Sequence, residues 1–158
     1  MKVIAIDPGY DRIGIAVIEK EKKEEKILFS ECFITNRKKH LNERIFSLGE
    51  RINYIIKKYS PEFLAIESLF FSKNTKTALS VAEARGVIIY QAMKNNIPVY
   101  EYTPNQIKVA VGGYGGAHKR DILFMVEKLV KIDKRKRIDD ELDAIAIGLT
   151  FLASYRDI

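Results

Sequence analysis

The sequence contains a single cysteine, which limits both its covalent chemistry and its metal chemistry. Cys32 has no partner for an internal disulfide, as is usual in a reducing cytoplasm. This cysteine and two widely separated histidines, His40 and His118, do not form the ligand cluster of a typical zinc site. The GxSxG motif of serine hydrolases is also absent. The sequence therefore favours neither a zinc site nor a serine nucleophile.

Long apolar runs are also missing. No stretch approaches the roughly 20 apolar residues that a membrane-spanning helix needs. The N-terminal MKVIAIDPGY has an apolar run too short for a signal peptide, and Asp7 interrupts it. Of 158 residues, 47% are hydrophobic and 30% are charged, which is typical of a globular protein with its own core. We expect a single domain, residues 1–158, in the cytoplasm.

The net charge of +6 is concentrated in one segment. The window 103–138 contains nine Lys or Arg residues and three acids, so it accounts for the whole excess. Such a segment fits the binding of nucleic-acid phosphates, but a solvated helix face has the same composition. Charge alone does not separate these two interpretations.

Hydrophobic patterning predicts an α/β fold. Short links join three predicted strands at 2–6, 13–19 and 27–34, which favours an antiparallel meander, with the charged segment 19–26 as a hairpin tip. Helices separate the first of these strands from two later ones, so right-handed crossovers should make all three parallel. The expected fold is a mixed five-stranded sheet flanked by helices. The later strands are predicted at 63–68 and 97–102, and the helices at 40–59, 75–95, 104–111, 117–131 and 139–154.

Two of the predicted strands end in a single acid, VIAID at 3–7 and FLAIE at 63–67. If these parallel strands are neighbours, Asp7 and Glu67 lie side by side at the carboxyl edge of the sheet, where such folds place ligands. Adjacent carboxylates raise each other's pKa, so they coexist best with a cation or a proton between them. Alternatively, Asp7 is only a turn residue before Pro8.

The last predicted helix begins DDELDAIAIGLT and carries two more acids on one face. Asp140 and Asp143 are three residues apart and should project together from the first turn. Taken alone, they are explained more simply as acids that oppose the helix dipole, with Asp139 as the N-cap. The rest of this helix is apolar nearly all round, which predicts that its start packs against other structure.

Four convergent carboxylates would suit divalent metal ions. Magnesium prefers carboxylate oxygens. Two such ions roughly 4 Å apart can activate an attacking water and stabilise the leaving oxygen of a phosphodiester. Together with a basic groove, this arrangement would cut nucleic acid without a nucleophilic side chain.

Four blocks of the sequence, in order and spacing, resemble the RuvC family of Holliday-junction resolvases in the ribonuclease H-like superfamily. IAIDPGYDRIGIAV resembles the opening hairpin with the first catalytic acid, LAIESLFFSKNTKTALSVAEARGVI the second block, and DDELDAIAIGLT the last. The resemblance implies that Asp7, Glu67, Asp140 and Asp143 are catalytic residues and metal ligands. Some relatives carry His at the third position, where this chain has Asp140.

The resemblance also implies DNA contacts. TPNQIKVAVGGYGGAHK is similar to the DNA-contacting block of the family, in which Lys108 and Lys119 match lysines near the scissile phosphate. Phe70 matches an aromatic residue that contacts unpaired bases, where stacking contributes ~1–3 kcal/mol. Arg120 is a further DNA-binding candidate. Without the resemblance, the lysines are ordinary surface residues and Phe70 is a core residue.

The activity that the resemblance implies is symmetric nicking of two opposed strands of a four-way junction, in homologous recombination and DNA repair. It implies a homodimer, two Mg²⁺ ions per active site with Mn²⁺ as a substitute, a branch-migration helicase complex of the RuvA and RuvB type as partner, and no membrane. A two-fold dimer suits a two-fold substrate.

In the family, the helix containing AEARGVIIYQAM supplies much of the dimer interface. The apolar stripe predicted along this helix fits that role, but an internal core helix would show the same pattern. Arg85 within it is either a DNA contact or a structural ion-pair partner, and the structural interpretation is favoured. The stripe consists of Leu79, Ala82, Gly86, Ile89 and Met93.

Other functions share some of these features. A YqgF-like nuclease acting on ribosomal RNA precursors has the DPG opening but lacks the lysine-bearing block before the last helix. A non-catalytic junction-binding protein would use the acids as helix caps and bind no metal. An actin-like phosphotransferase is disfavoured by the short chain.

Overall fold

A computed structural model describes residues 1–22, 24–69, 75–130 and 137–155, with only the backbone at 75 and 76. The predicted Phe70 contact lies outside the described residues. The strands are β1 (Lys2–Asp7), β2 (Arg12–Glu21), β3 (Glu24–Ile34), β4 (Phe63–Glu67) and β5 (Val99–Tyr102). The helices are α1 (Leu41–Tyr59), α2 (Thr75–Lys94), α3 (Pro104–Gly112), α4 (Lys119–Leu129) and α5 (Asp139–Ser154).

The strands form one mixed sheet in the order β3-β2-β1-β4-β5. β1, β2 and β3 make an antiparallel meander, and β4 lies parallel to both β1 and β5. The predicted topology is therefore confirmed. The charged segment at 19–26 is mostly strand and not turn. Opposite charges face each other across β2 and β3, as in the pair Lys20–Glu25, so these residues extend the hairpin instead of ending it.

Each face of the sheet has its own hydrophobic core. α1 and α2 cover the face that carries Ile4, Ile6 and Ile15. The helices α3, α4 and α5 cover the opposite face, where the strands present mainly small residues, Ala5 and Ala65 among them. Because side chains alternate along a strand, Asp7 falls on the same face as Ala5. The acid at the end of β1 therefore points toward α5.

Helix α5 lies very close to the sheet because glycine replaces larger side chains at the contact. A Cβ atom on Gly148 would stand 2.7 Å from Ile18 Cδ1 and 3.1 Å from Ala5 Cβ. A Cβ on Gly14 of β2 would overlap the carbonyl oxygen of Asp140. Helix α5 is buried along most of its length, as its nearly continuous apolar sequence predicts.

The predicted N-cap of this helix is wrong by one residue. Ile138 is the N-cap, because its carbonyl accepts hydrogen bonds from the amides of Glu141 and Leu142. Asp139 is already inside the first turn, and its carboxylate lies 3.9 Å from Lys119 Nζ. The acids of this turn therefore face side chains of other elements.

The apolar stripe predicted for α2 does not face the core. Among the described side chains, α2 buries the apolar Ala84, Ile88 and Ala92 and the polar Gln91, whereas Leu79 and Met93 of the stripe are 71% and 59% exposed. Small residues face inward because α2 packs closely on α1, where a Cβ on Gly49 would stand 2.9 Å from Val87. Long apolar side chains are consequently left on the outer surface. No helix in the described part of the chain is long and apolar enough to cross a membrane.

The close packing of α5 predicts different effects for alanine at two glycines within helices. Gly148→Ala should lower the free energy of unfolding by ~1–3 kcal/mol, because the new methyl group overpacks the core. Gly86→Ala in α2 is the matched control. In the described part of the chain, no atom beyond the adjacent residues and the nearby backbone of α2 lies within 4 Å of the position that the new methyl group would take, so the change should be neutral or stabilising. Urea unfolding measures both, and equal effects would contradict the packing argument.

Candidate active site

The first two acids meet at one edge of the sheet. β1 and β4 are parallel neighbours in a register that runs from Val3 opposite Phe63 to Ile6 opposite Ile66. The next positions in this register are Asp7 and Glu67. The matching strand ends in the sequence predict this juxtaposition, and the sheet confirms that the two strands are adjacent.

Burial among like charges dominates the electrostatics of Asp7. Its pKa is raised from 3.8 to about 8, first by burial and then by the charges of Glu67, Asp143 and Asp140, while Lys119 opposes the shift. Burial and the Asp143 charge likewise raise the pKa of Glu67. Burial is also the main reason that the pKa of Asp143 is raised. Asp7 therefore interacts with each of the other three predicted acids.

Two protein cations hold the acids of α5. Arg12, at the start of β2, donates a hydrogen bond from Nη2 to Asp140 Oδ2. Lys119, at the start of α4, donates from Nζ to Asp143 Oδ2 at 2.7 Å. With these pairs formed, no three His, Cys, Asp or Glu side chains in the described ranges are arranged around one common ion position. The acids converge, but two of them are directed at cations of the chain itself.

A pocket of about 200 Å³ opens beside two of the acids. Its lining includes Glu67 and Asp143 together with both predicted lysines, Lys108 and Lys119. Burial disfavours the Lys119 ammonium, but the hydrogen bond to Asp143 and the charges of Asp143, Asp139 and Asp7 together outweigh burial and raise the lysine pKa. Arg120 is exposed next to Lys119 and lies outside the pocket lining.

The sequence matches the profile of the family described as "Crossover junction endodeoxyribonuclease RuvC" over residues 3–151. This chain belongs to the RuvC family. RuvC of Fusobacterium nucleatum subsp. nucleatum is 42% identical over 98% of this chain and 81% of its own length. RuvC of Petrotoga mobilis is also 42% identical, over 92% of this chain and 90% of its own length.

Solved structures agree with the family match. T. thermophilus RuvC in complex with Holliday junction substrate superposes with a TM-score of 0.90 at 30% identity, covering 97% of this chain and 93% of that one. The yeast mitochondrial Holliday junction resolvase Ydc2 has a TM-score of 0.71 at 14% identity, over 96% and 77% of the two chains. The second likeness supports the ribonuclease H-like fold alone.

A buried ion pair lies behind the acids of this site, and it was not predicted from the sequence. Arg137 and Glu141 lie 3.2 Å apart, and their side chains are 6% and 3% exposed. Ser30 of β3 donates a hydrogen bond to Glu141 at 2.6 Å. Within DDELD, Glu141 looks like another first-turn acid. The signal that could have distinguished it is Arg137, one helical turn earlier.

A second missed residue is Arg44, which holds the turn between β1 and β2. Its guanidinium donates to the carbonyl oxygen of Tyr10 at 3.1 Å and to Thr35 Oγ1 at 2.9 Å, and it pairs with Asp11. This turn directly follows Asp7, so Arg44 fixes the backbone beside the first acid. By contrast, the structural interpretation of Arg85 is supported, since Arg85 pairs with Glu101 at 2.6 Å.

The raised pKa of Asp7 predicts that this acid destabilises the fold in a pH-dependent way. Its folded pKa of about 8 exceeds the unfolded value, so ionisation costs stability progressively as the pH rises from about 4 toward 8. In the presence of a chelator, Asp7→Asn should raise the free energy of unfolding at pH 8.5 by an amount on the order of 2–5 kcal/mol. At pH 5 the gain should be clearly smaller. Urea titrations at the two pH values measure this difference.

Glu50→Gln is the control for that experiment, because Glu50 is an exposed acid on α1. It should change stability little at either pH. An equal gain for Asp7→Asn at pH 5 and pH 8.5 would show that the buried charge is not the cause.

Proposed function

We propose that this chain resolves Holliday junctions, acting as a single nuclease domain, and that Asp7, Glu67, Asp140 and Asp143 bind the divalent ions for the reaction. The observation that carries the assignment of the acids is the pKa of Asp7, which burial and three neighbouring carboxylates raise to about 8. Acids that raise each other's pKa in this way are stabilised by a cation between them. Nucleases of the RuvC family are metal-dependent.

The donor chemistry supports magnesium. All four side chains offer carboxylate oxygen, the ligand that Mg²⁺ prefers, and four carboxylates suffice for two ions, with Mn²⁺ as a substitute. When bound, such ions supply an activated water and stabilise the leaving oxygen of the phosphodiester. Asp7 and Glu67 approach from the sheet edge, whereas Asp140 and Asp143 approach from the first turn of α5.

The pocket beside the acids supports a position for the DNA backbone. Lys108 and Lys119 line it together with Glu67 and Asp143, so positive charge for a phosphate lies next to the proposed metal ligands. Arg120 extends this charge onto the exposed side of α4, and Phe70 is the proposed contact to unpaired bases. The family profile spans the lysine-bearing block, which favours junction DNA over the YqgF-like alternative.

The apolar outer surface of α2 supports a homodimer. Leu79, Tyr90 and Met93 are each more than half exposed, and Phe46 of α1 is exposed beside the same groove as Tyr90. Such a surface fits an isologous contact, which would place two active sites on a two-fold junction. We also propose that the dimer works in the cytoplasm with a RuvA- and RuvB-type branch-migration complex in recombination and repair.

Cleavage of synthetic substrates tests the proposed activity. With Mg²⁺, the protein should cut a four-way junction in preference to linear duplex DNA and single-stranded RNA, and without Mg²⁺ it should cut none of them. Asp7→Asn should lower the rate at least ~100-fold while junction binding stays measurable, because only the metal ligand is lost. Equal cutting of junction and linear duplex would contradict junction specificity, and cutting by Asp7→Asn would contradict the metal assignment.

The lysine assignment has its own matched pair. Lys119→Ala should weaken junction binding or turnover, because Lys119 lies at the pocket beside Asp143. Lys128→Ala is the control, since Lys128 lies over the Phe124 ring two turns farther along the same helix, and it should have a smaller effect. If Lys119→Ala matches the unchanged protein in both properties, the assigned role is wrong.

The proposed dimer surface predicts a change of oligomeric state. Met93→Glu should give a monomer in analytical ultracentrifugation, because a charge in an apolar contact must be desolvated. Phe124→Glu on α4 is a matched control, as Phe124 is similarly exposed at 57% and should leave the dimer intact. A dimer that persists in Met93→Glu and dissociates in Phe124→Glu would move the interface to α4.

A further inference from the structure

Arg12 is directed at Asp140 by the packing of β2 under α5. Gly14 contacts the backbone of Asp140 so closely that no side chain fits between them. Arg12 is two residues before Gly14 and therefore projects from the same face of the sheet. Cys32, opposite Gly14 on β3, also lies on this face, with Sγ 3.9 Å from Asp140 Oδ2. The position of Arg12 thus follows from the strand and not from a flexible loop.

The two cations at the α5 acids differ in their surroundings. Lys119 contacts Asp143 and lines the pocket with Lys108, so it belongs to the proposed DNA surface. Arg12 does not line this pocket, and its hydrogen bond is made to Oδ2 of Asp140, one of the oxygens that a metal ion would use. Its side chain is 44% exposed, so the guanidinium can leave this acid without opening the core.

A guanidinium and a divalent ion compete for one carboxylate oxygen. Both need its lone pairs, and their positive charges repel each other at short distance. The acids in the described ranges are not arranged around a common ion, and Arg12 is paired with one of them, Asp140. An ion at Asp140 Oδ2 would therefore be opposed by the Arg12 charge unless the guanidinium moves away.

We infer that Arg12 is a positioning residue that competes with the divalent ion for Asp140 and so lowers the affinity of one metal position. The inference rests on the proposed function, in which Asp140 is a metal ligand. Arg12 would thereby raise the concentration of divalent ion at which this position is occupied. The ion that binds through Asp140 should accordingly be the more weakly held one.

Mn²⁺ titration of the DNA-free protein by isothermal calorimetry tests this without measuring cleavage. Arg12→Gln should lower the Kd of the weaker Mn²⁺ binding step by about two- to fivefold. A change of this size is expected when the ion no longer competes with one partly exposed ion pair. Arg12→Lys retains a cation and should fall between Arg12→Gln and the unchanged protein. Arg37→Gln is the control, because it removes the same charge from an ion pair with Asp11 outside the four acids.

A double variant separates competition at Asp140 from a general charge effect. In an Asp140→Asn background, Arg12→Gln should no longer change Mn²⁺ affinity, since the contested oxygen has lost its charge. Unchanged or weaker binding in Arg12→Gln would overturn the inference. An equal increase in Mn²⁺ affinity for Arg37→Gln would also overturn the inference. The same holds if Arg12→Gln still increases Mn²⁺ affinity in the Asp140→Asn background. Circular dichroism confirms that each variant is folded.

The same titration distinguishes failure of the inference from failure of the proposed function. If Asp7→Asn binds Mn²⁺ as the unchanged protein does, the metal assignment itself fails, whatever Arg12 does. If Asp7→Asn and Asp140→Asn both lose binding while Arg12→Gln changes nothing, the metal site stands and only the competing role of Arg12 is rejected.

Discussion

The close approach of α5 to the sheet is the constraint on which the site depends. Gly14, Gly148 and Ala5 leave no room for larger side chains between this helix and strands β1 and β2. The first turn of the helix is therefore held over the ends of the strands. Any larger residue at these contacts would move the acids of α5 away from Asp7. The packing of α5 on the sheet therefore also determines where the acids of the site lie.

The site is held in place by interactions that compensate for its unfavourable charges. Asp7 is buried beside three other acids, and this arrangement opposes folding whenever all of them are ionised. The buried pair of Arg137 and Glu141, with its hydrogen bond from Ser30, holds the start of α5 on β3. Arg44 holds the turn after Asp7 in a comparable way. Ion-paired and hydrogen-bonded groups thus lie next to carboxylates that repel each other.

Strand patterns predicted the sheet well because burial and alternation determine which residues suit a strand. The meander followed from the short links between the first three strands, and the parallel direction of β1 and β4 followed from the helix between them. The meeting of Asp7 with Glu67 followed from two apolar runs that each end in an acid. The resemblance to four blocks of the RuvC family then singled out Asp140 and Asp143 as candidate metal ligands, which local spacing could not distinguish from helix-capping acids. Their convergence with Asp7 is visible only in the structure.

Helix patterns were less informative where several faces are apolar. In α2, either of two stripes could face the core, and the small residues Ala84 and Ala92 were buried because α1 lies so close. Glu141 was missed for a related reason. A run of acids does not show which member points inward. Glu141 is buried against Arg137, four residues earlier, and against Ser30 of the distant strand β3.

The identity of the third acid gives the contact with Arg12 a chemical meaning. A carboxylate at this position attracts both a guanidinium and a divalent ion, so Asp140 can exchange one for the other. A neutral histidine, which the resemblance places here in some relatives, binds metal through a ring nitrogen but offers no negative charge to an arginine. The contact with Arg12 therefore depends on an acid at position 140. In the proposed site, the additional charge would strengthen metal binding at Asp140, and the nearby cation would limit how strongly the ion is held.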